Sequence, residues 1–168
     1  MEHFDILDKT GTPTGRTAPK GTPLPPSQYY SGTHVYIFNS KNEFLLQQRA
    51  LHKKFLPGGW DIHCEHTMAG ETPIQCATRG LQEELGLTVP ESDFRFMKRF
   101  LWEADNHFVD VYFLQTDFDI TKLILPPNEV IGAKAIPLSE MLQLVENMHY
   151  RPVEYRQFIL SEIIKQET

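Results

Sequence analysis

The 168-residue sequence predicts an α/β (α+β) fold in which helices flank a mixed sheet, and three observations carry that prediction. Runs of alternating β-branched and aromatic residues recur along the chain, notably His34 to Phe38 and Phe108 to Asp117. A segment with both a helix start and a helix stop, Thr72-Pro73 to Gly86, sits near its middle. Two apolar-patterned helical segments close it.

In chain order, Phe4 to Leu7 reads as a short strand, and Gly11 and Gly15-Arg16 turn it into a hairpin. Ala18 to Ser27 carries Pro19, Pro23, Pro25 and Pro26 and reads as an extended connector, because proline fixes φ and removes a donor. His34 to Phe38 and Glu43 to Gln48 form a second hairpin around Asn39-Ser40-Lys41-Asn42. A basic loop containing Gly and Pro, Ala50 to Gly59, leads to Trp60-Asp61-Ile62. Thr72 as N-cap and Pro73 at the first helical position start a helix that runs to Leu85 and stops at Gly86. Phe94 to Glu103 and Phe108 to Asp117 are two more strands, joined by Ala104-Asp105-Asn106-His107. A helix capped by Ser139 runs to Glu146, and a last one spans Pro152 to Lys165, with Val153, Phe158, Ile159, Ile163 and Ile164 on or near one face.

With 40% hydrophobic and 23% charged residues, the chain suits one domain, residues 1–168, opened by a hairpin and Pro-rich connector over 1–30. The net charge of −6 argues against binding nucleic acid, whose phosphates reward basic surfaces. No apolar run approaches the roughly 18 residues of a membrane span, and Met1 to Thr10 mixes acids, His and Lys, so a cytoplasmic protein without a membrane partner is expected. Cys64 and Cys76 are too few for a disulfide framework.

Chemistry concentrates on the central helix, where Glu83 and Glu84 form an acidic edge near its end, with Arg79 and Glu71 preceding them. Adjacent acids repel unless a cation lies between them. Mg²⁺, or Mn²⁺, takes oxygen ligands and leaves room for substrate phosphates. An ordinary solvated Glu face is the plain alternative for any Glu-Glu pair. Here spacing decides: the segment reads Glu65-x5-Glu71-x7-Arg79-Gly80-Leu81-x-Glu83-Glu84-x-Gly86-Leu87.

This segment resembles the Nudix box, Gly-x5-Glu-x7-Arg-Glu-U-x-Glu-Glu-x-Gly-U, with U a bulky apolar residue, at seven of the nine specified positions. The resemblance implies a Nudix-type α/β/α sandwich, metal binding by Glu83 and Glu84, and an Arg79 to Glu71 ion pair. It departs at Glu65, where the family has Gly, and at Gly80, where the family has Glu. For Glu65 two readings stay open, a carboxylate returned to the metal or a solvated side chain. Restoring the acid with Gly80→Glu is expected to raise activity, and Glu84→Gln to abolish it with little change in stability. Arg49 and Lys53 are expected to grip a substrate's phosphates, whereas Lys54 reads as solvated. Glu129 falls where many Nudix proteins keep an acid in a mobile loop and is a candidate base.

The stretch from Arg49 through Pro57-Gly58 and Trp60 to Cys64-x-His66 also resembles isopentenyl-diphosphate isomerase, a Nudix-fold family. There the Cys moves a proton and the His binds metal, which implies those roles for Cys64 and His66. That family's Glu-x-Glu turn falls here on Asp105-Asn106-His107, so the second proton-transfer acid is missing. The expected function is therefore Mg²⁺-dependent hydrolysis of a small diphosphate-containing compound, such as a nucleoside diphosphate derivative. A true isomerase and a diphosphate-binding module weakened by Gly80 are the alternatives, and a homodimer is left open.

Overall fold

The computed structural model describes residues 1–167. Strands β1 (His3–Leu7) and β2 (Pro13–Pro19) pair antiparallel as a separate two-stranded ribbon. Ala18 and Pro19, expected in the connector, belong to β2 as its last residues, where a proline on a ribbon edge removes no needed bond. The main sheet holds β3 (Tyr30–Phe38), β4 (Glu43–Arg49), β5 (Trp60–Asp61), β6 (His63–His66), β7 (Phe94–Trp102), β8 (His107–Gln115) and β9 (Val130–Pro137). Helix α1 (Pro73–Leu85) covers one face, and α2 (Leu138–Glu146) and α3 (Val153–Ile164) cover the other.

The expected hairpin over 34–48 is corrected by the pairing. β3 and β4 meet only at Phe38 and Phe44. Beyond that point they part, and the chain over 60–66 fills the opening, β5 pairing with β4 and β6 with β3. β3 finds its long partner in β8, which runs parallel to it from Tyr30–His107 to Phe38–Gln115. β4 finds its own in β9, antiparallel from Glu43–Pro137 to Arg49–Val130. Neither β6 nor β9 is announced by pattern: the first is four polar or thiol-bearing residues, and the second is broken by Gly132.

Alternation along β3 sorts the two layers. Val35 and Ile37 join Leu45, Ala77, Leu81, Leu85 and Leu114 beneath α1. Tyr36 and Phe38 join Phe44, Val111, Phe113, Met141, Tyr155 and Ile159 beneath α2 and α3. An α/β/α sandwich results, because both sheet faces are apolar and each must be covered.

α1 is built as its sequence dictates. Thr72 Oγ1 accepts from Gln75 N at 3.3 Å and Gln75 Oε1 accepts from Thr72 N at 3.0 Å, so two free helix-end donors are satisfied. Gly86 ends the helix at φ +67°, a conformation open to glycine. Two details of the last helices differ from expectation. Pro137, not Ser139, is the N-cap of α2. Val153 and Ile164 are exposed, and α3 buries Tyr155, Ile159 and Ile163 instead, a spacing of four that the tyrosine completes.

Candidate functional site

Arg79, in the penultimate turns of α1, is the hub of the acidic side chains. Its Nε and Nη2 donate to the two oxygens of Glu71 at 2.6 and 3.0 Å, and Nη2 also donates to the His66 carbonyl at 3.0 Å. Nη1 donates to Glu83 Oε2 at 3.1 Å and lies 3.6 Å from Glu65 Oε2. Glu71 Oε2 in turn accepts from Met68 N at 3.0 Å. One guanidinium therefore clamps the loop between β6 and α1 to the helix through a forked, charge-assisted pair.

Glu83 and Glu84 diverge, as successive helical residues must. The Glu83 side chain is 56% exposed and faces Arg79, whereas that of Glu84 is 13% exposed and turns toward the sheet. Gln47 Nε2 of β4 donates to Glu84 Oε2 at 2.7 Å, and His63 Nδ1 of β6 lies 3.4 Å from the same oxygen. Burial works against Glu84's ionisation, but these partners outweigh it and hold its pKa below the usual carboxylate value. Glu65 behaves oppositely: burial first, and then the charge of Glu84, push its pKa upward. The fold thus brings Glu65 and Glu84 near one another from different elements as two half-buried acids, the charge of Glu84 acting on Glu65.

Gly80 lies buried between them. A Cβ built there would stand 2.7 Å from His63 Nε2 and 3.0 Å from Glu65 Cβ and Cγ. This crowding weighs against Gly80→Glu simply restoring an acid, because β6 side chains already fill that space.

The loop over 50–59 brings the basic residues. Lys53 Nζ pairs with Glu129 Oε2, and Ala50 N donates to the Glu129 carbonyl at 3.0 Å, so the segment before β9 is tied to this loop at two points. Lys53 also lies near enough for its charge to lower the pKa of Glu84. Arg49 Nε donates to the Phe55 carbonyl at 2.8 Å and its guanidinium stands over the Phe55 ring, 5.3 Å from the centroid. Phe55 packs edge-on against Tyr150, with centroids 5.3 Å apart.

Cys64 faces the opposite side of the sheet, toward α3. Arg151 Nη2 donates to Asp61 Oδ2 at 2.8 Å and lies 3.4 Å from Cys64 Sγ. Burial, and then the charge of Asp61, push the thiol pKa upward, so Cys64 is a neutral thiol under a guanidinium. Next to it His34 Nδ1 and Tyr36 Oη both bond Tyr155 Oη, at 2.6 and 2.7 Å, which places His34 in the core. His66 stacks on Phe4 of β1 at 5.2 Å and meets His107 edge-on at 5.3 Å. Burial, and then His66, lower the His107 pKa to about 3. Asn106, at φ +50°, spends its amide on the Pro25 and Gln28 carbonyls at 3.0 and 2.9 Å, a structural tie rather than a catalytic one.

Among the described residues no group of three or more His, Cys, Asp and Glu side chains converges on a point where a metal ion could sit. The donor chemistry nevertheless fits Mg²⁺ or Mn²⁺: two half-buried carboxylates, the charge of Glu84 opposing the ionisation of Glu65, form a hard-oxygen pair, and such ions take the rest of their shell from water and substrate phosphates. Sequence reading does not mark Gln47, and it marks His63 only as a member of the His63-Cys64-Glu65-His66 cluster, a weak soft-metal site on so short a segment. The available signal is Gln47, the first of two glutamines after the apolar run Phe44-Leu45-Leu46, since a polar residue inside a buried strand needs a partner.

Comparison with known proteins agrees with this architecture. A family model described as NUDIX domain matches residues 29–157. An uncharacterised Nudix hydrolase of Listeria monocytogenes is 32% identical over 90% of this chain and 89% of its own. An isopentenyl-diphosphate Delta-isomerase of Pectobacterium atrosepticum is 32% identical over 82% of this chain and 78% of its own. A crystal structure from Deinococcus radiodurans superposes with a TM-score of 0.71 at 18% identity, covering 88% of this chain and 90% of that one, a likeness of fold alone.

Proposed function

The chain belongs to the NUDIX domain family, and from that membership we propose that it is a Mg²⁺- or Mn²⁺-dependent hydrolase of a small diphosphate-containing compound, such as a nucleoside diphosphate derivative. The observation that carries this reading is the pair of half-buried carboxylates, Glu65 of β6 and Glu84 of α1, with Glu84 held by Gln47 and His63 and its charge acting on Glu65. Glu84 of α1 and Glu65 of β6 would hold the ion, and Glu83, turned toward Arg79, would add its charge at the open edge. When bound, the ion supplies charge neutralisation on the diphosphate and a more acidic water.

The chain's own residues do the rest. Gln47 and His63 fix the Glu84 carboxylate before any ligand arrives, which removes a reorganisation step. Arg79 holds Glu71 and the loop behind Glu65. Lys53, paired with Glu129 in this structure, is the group a diphosphate competes for. Capture of Lys53 by phosphate oxygens frees the Glu129 carboxylate, which can then take a proton from the attacking water.

A second reading is favoured by the isomerase relative and by Cys64 and His66. Against it stand the upward-shifted thiol beneath Arg151 and the presence of His107 where a second proton-transfer acid is needed. Isopentenyl diphosphate with metal in D₂O should therefore give neither deuterated substrate nor dimethylallyl product.

The test is a screen of diphosphate compounds for phosphate-bearing products with Mg²⁺ and Mn²⁺, repeated on Glu84→Gln. At least one compound should be hydrolysed, and the variant should lose about a hundredfold or more of that rate. Because Glu84 is held by two partners rather than solvated, the variant should also lose about 1–2 kcal/mol of stability, contrary to the expectation for an exposed acid. Binding of a diphosphate without turnover of any compound would replace the hydrolase with a binding module.

A further inference from the structure

Gly80 lies inside α1 and is absent from the glycines with positive φ, so its backbone conformation does not call for glycine. In a helix interior it costs about 1 kcal/mol relative to alanine. What the position lacks is room. A Cβ there would meet His63 Nε2 at 2.7 Å and the Glu65 side chain at 3.0 Å. His63 and Glu65 are alternate residues of β6, so both face the helix from the sheet. His63 is 1% exposed, and its Nε2 is a buried atom with no hydrogen-bond partner. Its Nδ1 lies 3.2 Å from Gln47 Oε1 and 3.4 Å from Glu84 Oε2. Both neighbours are oxygens, so Nδ1 carries the proton.

We infer that His63 is a positioning residue for Glu84 and that Gly80 is the gap that admits it. The imidazole from β6 stands where a helix side chain would stand, and with Gln47 it holds the Glu84 carboxylate in the orientation that receives the cation. Both partners hold Oε2, and neither engages Oε1. The two departures from the family's box are then one rearrangement: the helix gives up a side chain at 80, and β6 fills the space with His63 and Glu65. A buried imidazole with an unbonded nitrogen is a costly arrangement for packing alone, whereas a donor that fixes a metal-binding carboxylate has a reason to be retained. The inference rests on the reading of Glu84 as a metal ligand.

The test measures Mn²⁺ binding to the whole chain, without substrate, by the electron paramagnetic resonance signal of free Mn²⁺, beside thermal melting. Four variants are compared: His63→Asn, whose amide nitrogen replaces Nδ1; His63→Leu, which fills the space without a donor; Gly80→Ala; and Gly80→Ala with His63→Asn. His63→Leu and Gly80→Ala should each weaken Mn²⁺ binding about tenfold or more, the effect typical of losing a group that orients a ligand. His63→Asn should retain most of the affinity. Gly80→Ala should melt lower although alanine favours helix, and the shorter asparagine side chain in the double variant should recover both melting temperature and affinity. Should His63→Leu fail to fold, Gly80→Ala against the double variant decides. Parent-like Mn²⁺ affinity in His63→Leu and Gly80→Ala, or a higher melting temperature in Gly80→Ala with affinity kept, would overturn the inference while leaving the metal site standing. A parent chain that binds no Mn²⁺ sinks the metal reading of Glu84 and the positioning role with it, and differs from the former result by that baseline.

Discussion

Arg79→Lys probes the clamp on which the site is built. The guanidinium makes a two-armed pair with Glu71, a bond to the His66 carbonyl and a contact with Glu83, and its side chain is 19% exposed. An ammonium keeps the charge but cannot span Glu71's two oxygens and the carbonyl at once. Losing the second arm and the carbonyl bond, at about 1.5 kcal/mol for each charge-assisted bond, gives about 3 kcal/mol. Solvent at the partly open edge reduces this to about 2 kcal/mol. For a chain of this length that lowers the melting temperature by roughly 4–8 °C. Urea and thermal unfolding read the loss directly. Combining Arg79→Lys with Glu71→Gln should cost less than the two singly, because they remove the same fork. A melting temperature within about 1 °C of the parent, or full additivity in the double variant, would refute the clamp.

Two further predictions follow from the fold. Leu81 is fully buried between α1 and the sheet, so Leu81→Ala should cost about 2–5 kcal/mol in urea unfolding; a loss under about 1 kcal/mol would mean that this layer closes over the void. Burial first, and then the charge of Arg151, lower the His34 pKa well below 6.5, so the folded chain keeps it neutral while the unfolded chain protonates it. Stability from this group is complete above pH 6.5 and is lost as pH falls below it, by up to about 1.4 kcal/mol per pH unit. His34→Gln should flatten the stability profile between pH 6.5 and 4; an unchanged slope would assign acid sensitivity elsewhere.

What could be read in advance was local, and what could not was the pairing. Thr72, Pro73 and Gly86 mark the ends of α1 by short-range hydrogen bonds and dihedral limits, and the helix spans those residues in the structure. The turn at Asn39 to Asn42 also forms, with Asn39 N donating to the Glu43 carbonyl at 3.0 Å. The strands leaving it do not stay together, because a turn fixes only its nearest pair, Phe38 with Phe44, and later register is decided by partners far along the chain. β6 was invisible for a related reason. His63, Cys64, Glu65 and His66 carry no apolar alternation, since each side chain serves a different neighbour: Glu84, Arg151, Arg79 and Phe4.

The site follows from that same divergence. Had β3 and β4 remained paired along their length, no strand would reach α1 from between them, and Gly80 would be an ordinary helix defect. Because they part after Phe38 and Phe44, β6 enters the sheet under the helix and presents His63 and Glu65 to its last turns. Gln47, on the strand that swings away, meets the same carboxylate from the other side of the opening. Two strands, β4 and β6, therefore converge on Glu84 of the helix, and spacing marks neither Gln47 nor His63 as its partner. The acid a box reading finds missing at 80 is a matter of which element supplies the neighbouring groups, and the sheet's split determines that β6 does.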